Sequence, residues 1–275
     1  MQTLQNISKR IFAAFIFFTR LPLWRVAVVE KRHFEGVVPL WPLVGWFTGG
    51  VMALVFWVCS LCQIPVNISV IVALLSRLLL TGALHEDGFA DFCDGFGGGT
   101  DRGKILVIMK DSHIGTYGVI GLVLYFLLLW NVWVLIYQMG LSPLWMLAVD
   151  ACCKYISSTI IYFLPYARKE QEAKNKLIYT ATSVSEKVVS CLLGISPLIV
   201  VLMIDSCGII SIGTVVVSLM SSIGMCAILF YTMHCRIQGY TGDCCGATFI
   251  ITELVFYVSL LVFTFYYTSY YTSIL

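Results

Sequence analysis

The chain has 275 residues, 59% hydrophobic and only 12% charged, with a mean hydropathy of +0.91. A soluble domain carries about 25% charged residues, so the composition excludes an ordinary soluble enzyme, and it equally excludes disorder, which needs low hydrophobicity and high charge. The 17 basic and 15 acidic residues nearly cancel, leaving no bulk charge to attract nucleic acid.

The first predicted element is short. Ile7, Ile11, Ala14, Phe15 and Phe18 recur at helical spacing, with Lys9 and Arg10 off the stripe. The uncharged run 11–18 is too short to span a bilayer and no small-residue cleavage site follows it, so it reads as an interfacial helix and not as a signal peptide. A crossing helix needs about 20 apolar residues. Seven stretches meet or approach that: about 37–62, 66–84, 116–138, 142–164, 187–204, 208–233 and 249–270. Trp and Tyr sit near several ends and Gly is frequent, as in spanning helices. The alternation of a membrane barrel is absent. The expected fold class is all-α: a polytopic integral membrane protein of about seven transmembrane helices plus the N-terminal interfacial helix, one domain over 1–275.

Lys and Arg set the orientation. Lys9, Arg10, Arg20, Arg25, Lys31 and Arg32 precede the first span. Arg102, Lys104 and Lys110 follow the second, Arg168, Lys169, Lys174, Lys176 and Lys187 follow the fourth, and Arg236 follows the sixth. That places 15 of 17 basic residues on one side, predicting a cytoplasmic N-terminus, cytoplasmic polar connections and an outside C-terminus. Arg77 and Lys154, the latter spaced i, i+4 from Asp150, fall inside spans, where charges mark function or tie helices together. The 11 cysteines show no metal-binding spacing and read as small buried hydrophobes.

The connection 85–115 holds six of the 15 acids: Glu86, Asp87, Asp91, Asp94, Asp101 and Asp111. On a helix continuing from the second span, Asp87, Asp91 and Asp94 share one face within about 40°. No base lies between Arg77 and Arg102 to relieve their repulsion, so the spacing predicts a divalent cation, and oxygen-only ligands suit Mg²⁺ or Mn²⁺. Glu86, about 100° off that face, is either a fourth ligand or solvated. Gly95, Gly97, Gly98 and Gly99 are expected to break the helix. Backbone N–H groups of Gly97, Gly98 and Gly99 are candidates to approach a phosphate, with Arg102 and Lys110 to hold its oxygens. Two further polar groups, Tyr166 to Arg168 and His234 to Asp243, are predicted on the same side.

At these residues the chain resembles the cobalamin synthase family, the adenosylcobinamide-GDP ribazoletransferases. The matching segments are FFTRLP at 17–22, PLVG at 42–45, TGALHEDGFAD at 81–91 with Asp94-Gly95, MKDS at 109–112 with the glycines at 115 and 118, PYAR at 165–168, and GYTGD at 239–243 with Gly246-Ala247. They cover about residues 12 to 255. The chain departs from the family at Lys154 and His113, where the family favours Arg, at the bulky Phe89 and Phe92, and in the run Lys169, Glu170, Gln171, Glu172 after Arg168. Lys does not grip bidentately as Arg does.

The resemblance implies a reaction. A ribose hydroxyl of α-ribazole, or of its 5′-phosphate, attacks the cobinamide-side phosphorus of adenosylcobinamide-GDP, and GMP leaves, with Mg²⁺ (or Mn²⁺) required. Beside that reaction, the expected roles are metal ligation by Asp87, Asp91 and Asp94, with Glu86 either a ligand or solvated, Asp111 and Asp243 as further ligands or general bases, His85 as a base, and Arg102, Lys110 and Arg168 as phosphate contacts. The resemblance places the enzyme in the bacterial cytoplasmic (inner) membrane. The expected partners are the two substrates and the lipid bilayer, with no nucleic acid, and a homo-oligomer or a complex with other cobalamin-assembly enzymes left open. The CDP-alcohol phosphotransferases are a more distant analogy, because Asp87-Gly88 is not followed here by the Arg of their DGxxAR motif. A lipid-acting enzyme of that kind is the alternative reading. A transporter is disfavoured by the lack of an internal repeat.

Overall fold

The computed structural model describes residues 2–168, 182–205 and 210–274. The described residues form twelve helices: α1 (Gln2–Phe18), α2 (Lys31–Phe34), α3 (Trp41–Leu61), α4 (Val66–Thr81), α5 (Leu84–Gly98), α6 (Arg102–Ile108), α7 (Thr116–Gln138), α8 (Leu144–Ser158), α9 (Ile160–Phe163), α10 (Val184–Ile204), α11 (Ile212–Ile237) and α12 (Gly242–Ile274). No strand occurs among them; the only bridge pairs Tyr166 with Tyr240. Six spans are long and apolar enough to cross a bilayer: Val38–Leu61, Thr116–Gln138, Leu144–Phe163, Val184–Ile204, Ile212–Ile237 and Gly242–Tyr266. The pair α4 and α5, bent by 89°, supplies a seventh if taken as one broken span. The chain is therefore an all-α, multi-pass membrane protein.

Three boundaries differ from expectation. The second span does not continue into the acidic helix. Gly82 (φ +64°) and Ala83 (φ +57°) both adopt the left-handed conformation, which ends the hydrogen-bond ladder and turns the chain. Arg20 packs against Gly82 and its backbone N–H donates to Leu80 O at 2.6 Å. Second, the glycines do not break α5. Gly95, Gly97 and Gly98 lie within it, and Gly99 caps it through an N–H to Gly95 O. Packing overrides propensity here, since a Cβ on Gly97 would sit 2.7 Å from the Tyr117 ring. Third, the last helix begins at Gly242 and not near 249. Lys187 belongs to α10, whose start carries a reciprocal Ser183–Glu186 capping box. Lys169, Glu170, Gln171, Glu172, Lys174 and Lys176 lie outside the described residues.

The centre of the bundle is the α3–α8 contact. A Cβ on Gly45 would lie 2.6 Å from Ala151 Cα, and one on Gly49 2.6 Å from Leu147 Cα. Small residues let the two backbones meet, the usual basis of helix association in lipid. The same contact carries charge: Thr48 donates to Asp150 Oδ2 at 2.9 Å, and Lys154 donates to Thr48 at 3.0 Å and pairs with Asp150. A second buried network ties four helices. Arg77 on α4 meets Glu253 on α12 at 2.5 Å, Tyr125 on α7 at 2.6 Å and Glu86 on α5 at 3.4 Å. Tyr125 donates in turn to Glu253 at 2.9 Å.

The polar connections gather at one end of the bundle. Ala167 N–H donates to Tyr240 O at 2.8 Å and Tyr240 N–H to Pro165 O at 2.9 Å, clasping two of them. Arg102 adds the third by donating to Ile237 O and Ala167 O, each at 2.9 Å.

Candidate active site

The site is built by the right-angle turn after α4. Turned aside, α5 crosses the first turns of two other helices. Near its start it lies against α12: a Cβ on Gly88 would fall 2.9 Å from Asp243 Cα, and one on Gly246 would fall 3.1 Å from His85 O. Near its end it lies against α7, where a Cβ on Gly118 would fall 3.0 Å from Ala90 O. Carboxylates on one face of α5 thus meet different neighbours along its length.

Asp87 and Asp243 open onto one pocket, shared with His85, Arg168, Tyr166 and Trp41 and enclosing about 1060 Å³ of empty space, adjoining solvent included. Asp87 is exposed and Arg168 is buried. Arg168 donates to Leu106 O at 3.0 Å, and its Nε has no partner among the described residues. Asp243 occupies the first turn of α12, where the helix dipole favours an anion. Burial pushes the Tyr166 and Tyr240 phenols up, so both remain protonated donors beside the acids.

Asp94 does something else. Its two oxygens accept from the N–H groups of Gly115 at 2.7 Å and Gly118 at 2.8 Å. These are donors at the start of α7 that no helical carbonyl satisfies, so Asp94 caps α7. Asp91 lies one turn from Asp87, half-buried and outside the pocket lining. Glu86 is buried and faces Arg77, because its offset on α5 turns it into the bundle. Asp111 is exposed and holds His113 through backbone and ring nitrogens at 3.0 and 2.7 Å; the His113 N–H keeps its carboxyl below the usual range. Lys110 is exposed and, like Asp111, does not line the pocket. Arg102 spends two donors on carbonyls, and Gly97, Gly98 and Gly99 pack against Tyr117, Ile108 and Ile105. The structure thus brings together Asp87, Asp243, His85 and Arg168, and places the remaining candidates elsewhere.

Among the described residues no three His, Cys, Asp or Glu side chains form a ready metal cage. The pocket does fit Mg²⁺ in its commonest setting, one or two carboxylates completed by substrate phosphates and water.

Three contributors were not foreseen. Trp41 and Phe17 line the pocket, with no chemical signature to mark them. Glu253 is the partner of Arg77; a lone acid in the last span is the signal that finds it, since an intramembrane cation requires a countercharge.

Fold and pocket together define an all-helical, multi-pass membrane protein whose acids and arginine meet an aromatic wall at one end of the bundle. A model of the cobalamin-5-phosphate synthase family matches residues 10–261. An adenosylcobinamide-GDP ribazoletransferase of Shewanella woodyi is 34% identical over 271 residues, covering 96% of this chain and all of the relative. Enzymes of the same name from Shewanella baltica and Shewanella oneidensis are 32% and 30% identical, covering 90% and 91% of this chain and 91% and 93% of the relatives. No solved structure matches. The chain belongs to the cobalamin-5-phosphate synthase family, and is accordingly an enzyme, a transferase of cobalamin biosynthesis.

Proposed function

We propose that the protein is a Mg²⁺-dependent adenosylcobinamide-GDP ribazoletransferase, joining α-ribazole or its 5′-phosphate to the cobinamide phosphate and releasing GMP. The observation that carries this is the meeting of Asp87 and Asp243 with Arg168 in one pocket, in a chain whose relatives bear that enzyme name along their length.

Each residue has a role. Asp87 and Asp243 would hold Mg²⁺, together with the substrate's pyrophosphate. When bound, the ion neutralises charge on the nonbridging and leaving oxygens. Arg168 faces the pyrophosphate as a fixed cation, its guanidinium already oriented by Leu106 O. Asp243 also accepts the proton of the attacking ribose hydroxyl. The O–P bond to the cobinamide phosphate forms as the pyrophosphate P–O bond breaks, and the electron pair leaves with GMP. Tyr166, kept protonated, donates to a phosphate oxygen. The pocket end of the bundle faces the cytoplasm and the C-terminus the outside, in the inner membrane of a bacterium; the sequence clustering of 15 of 17 basic residues in the connections on one side supports this reading.

The test is turnover by the purified protein in lipid nanodiscs. GMP should appear from adenosylcobinamide-GDP plus α-ribazole with Mg²⁺ and not with EDTA. Consumption of CDP-diacylglycerol with adenosylcobinamide-GDP ignored would refute the assignment.

A further inference from the structure

One wall of the pocket is an aromatic stack drawn from α1, α3 and α5 and backed by α12. Phe18 and Trp41 lie 5.3 Å apart between centroids with 8° between planes, and Trp41 and His85 lie 5.6 Å apart with 19°. Phe249 closes on His85 at 4.9 Å. Phe17, Val38 and Ile161 extend this half with apolar surface. Within it, His85 is 2% exposed, and neither ring nitrogen has a partner among the described residues. A polar group buried without a partner is destabilising, and this one borders the pocket. The pocket is therefore divided: Asp87, Asp243 and Arg168 on one side, and on the other a flat, largely apolar wall whose buried hydrogen-bonding groups without a partner among the described residues are His85 and the Trp41 indole N–H.

We propose that the aromatic half receives the benzimidazole ring of α-ribazole, and that a His85 ring N–H donates to the ring nitrogen not bonded to ribose. The inference rests on the reaction proposed above. Dimethylbenzimidazole is flat, carries two methyl groups and presents one acceptor, which suits a wall that is apolar apart from His85 and the Trp41 indole N–H. Guanine, which enters the reaction on the same substrate as the corrin and the adenosyl adenine, presents donors and acceptors along two edges, more than His85 and the Trp41 N–H could pair in a wall otherwise made of Phe17, Phe18 and Val38. A benzimidazole held here leaves its ribose on the side of Asp87 and Asp243. His85 is then a specificity-determining residue for the acceptor substrate.

The experiment titrates the protein in nanodiscs with α-ribazole and with its indole counterpart, in which C–H replaces the acceptor nitrogen. Wild type should bind α-ribazole about three- to tenfold more tightly, the value of one hydrogen bond, and His85→Phe should bind the two alike. In turnover, His85→Phe should raise KM for α-ribazole and leave KM for adenosylcobinamide-GDP unchanged. The wild-type comparison needs no variant, so it stands if His85→Phe misfolds. Equal binding of the two nucleosides by wild type that makes product overturns the ring site and leaves the reaction intact. A rise in KM for adenosylcobinamide-GDP alone assigns the wall to a ring of that substrate and also overturns the site. Absence of product overturns the reaction and this site with it.

Discussion

Gly88 on α5 lies so close to Asp243 on α12 that an added Cβ would sit 2.9 Å from the Asp243 Cα and 3.1 Å from its carbonyl oxygen. Both are backbone atoms and neither yields easily. This contact sets the distance between the two helices that supply the pocket's carboxylates, since Asp87 precedes Gly88 directly.

Gly88→Ala should therefore separate Asp87 from Asp243 without removing either. A misplacement of about 1 Å costs on the order of a hundredfold in rate. The variant should lose at least about tenfold in kcat/KM for GMP release while keeping wild-type helical content by circular dichroism.

Asp94 and Asp87 share a helix face but should behave differently. Asp94 caps α7 through two N–H groups, so Asp94→Ala should cost about 1–2 kcal/mol of stability, read as a lower Tm in detergent. The Mg²⁺ concentration for half-maximal activity should stay near the wild-type value. A large rise in that concentration with Tm intact would show Asp94 to be a ligand.

The multi-pass architecture is legible in the sequence because lipid leaves the backbone few choices, and the six long helices fall close to their apolar stretches. What was not legible is the direction of α5. Three aspartates at i, i+4 and i+7 do share a face, but what each meets depends on the turn at Gly82 and Ala83. Gly82 hints at that turn; Ala83 gives no sign of it, because a left-handed alanine is held there by surrounding contacts against its own preference. Glycines 97 to 99 read as a phosphate loop because a missing side chain looks the same whether a ligand or Tyr117 fills the space.

The Arg77 network should dominate stability. Arg77→Met strands Glu253 and Glu86, both buried, and breaking a buried pair from one side costs about 3–5 kcal/mol. A sharp fall in Tm is expected, and Arg77→Met with Glu253→Met should recover part of it because the uncompensated charge goes too. No recovery would show that Glu253 is not the principal countercharge.

Asp101 provides a pH-dependent contribution. Its side chain accepts from the Lys104 N–H at 3.0 Å, which holds its carboxyl below the usual value. A depressed folded-state pKa stabilises above the unfolded value, about 4, and is lost as pH falls through the folded one. The Tm difference between wild type and Asp101→Ala should be largest at neutral pH and shrink in acid.

If Asp87 and Asp243 jointly hold a metal-bound pyrophosphate, Mg²⁺-dependent GMP release by Asp87→Asn and Asp243→Asn must report it. Both substitutions keep shape and remove charge. Each should lower kcat/KM by at least about a hundredfold and raise the Mg²⁺ concentration required for half-maximal rate, with Tm near wild type. GMP release at the wild-type rate and the wild-type Mg²⁺ requirement in either variant would show that the two carboxylates do not hold the metal.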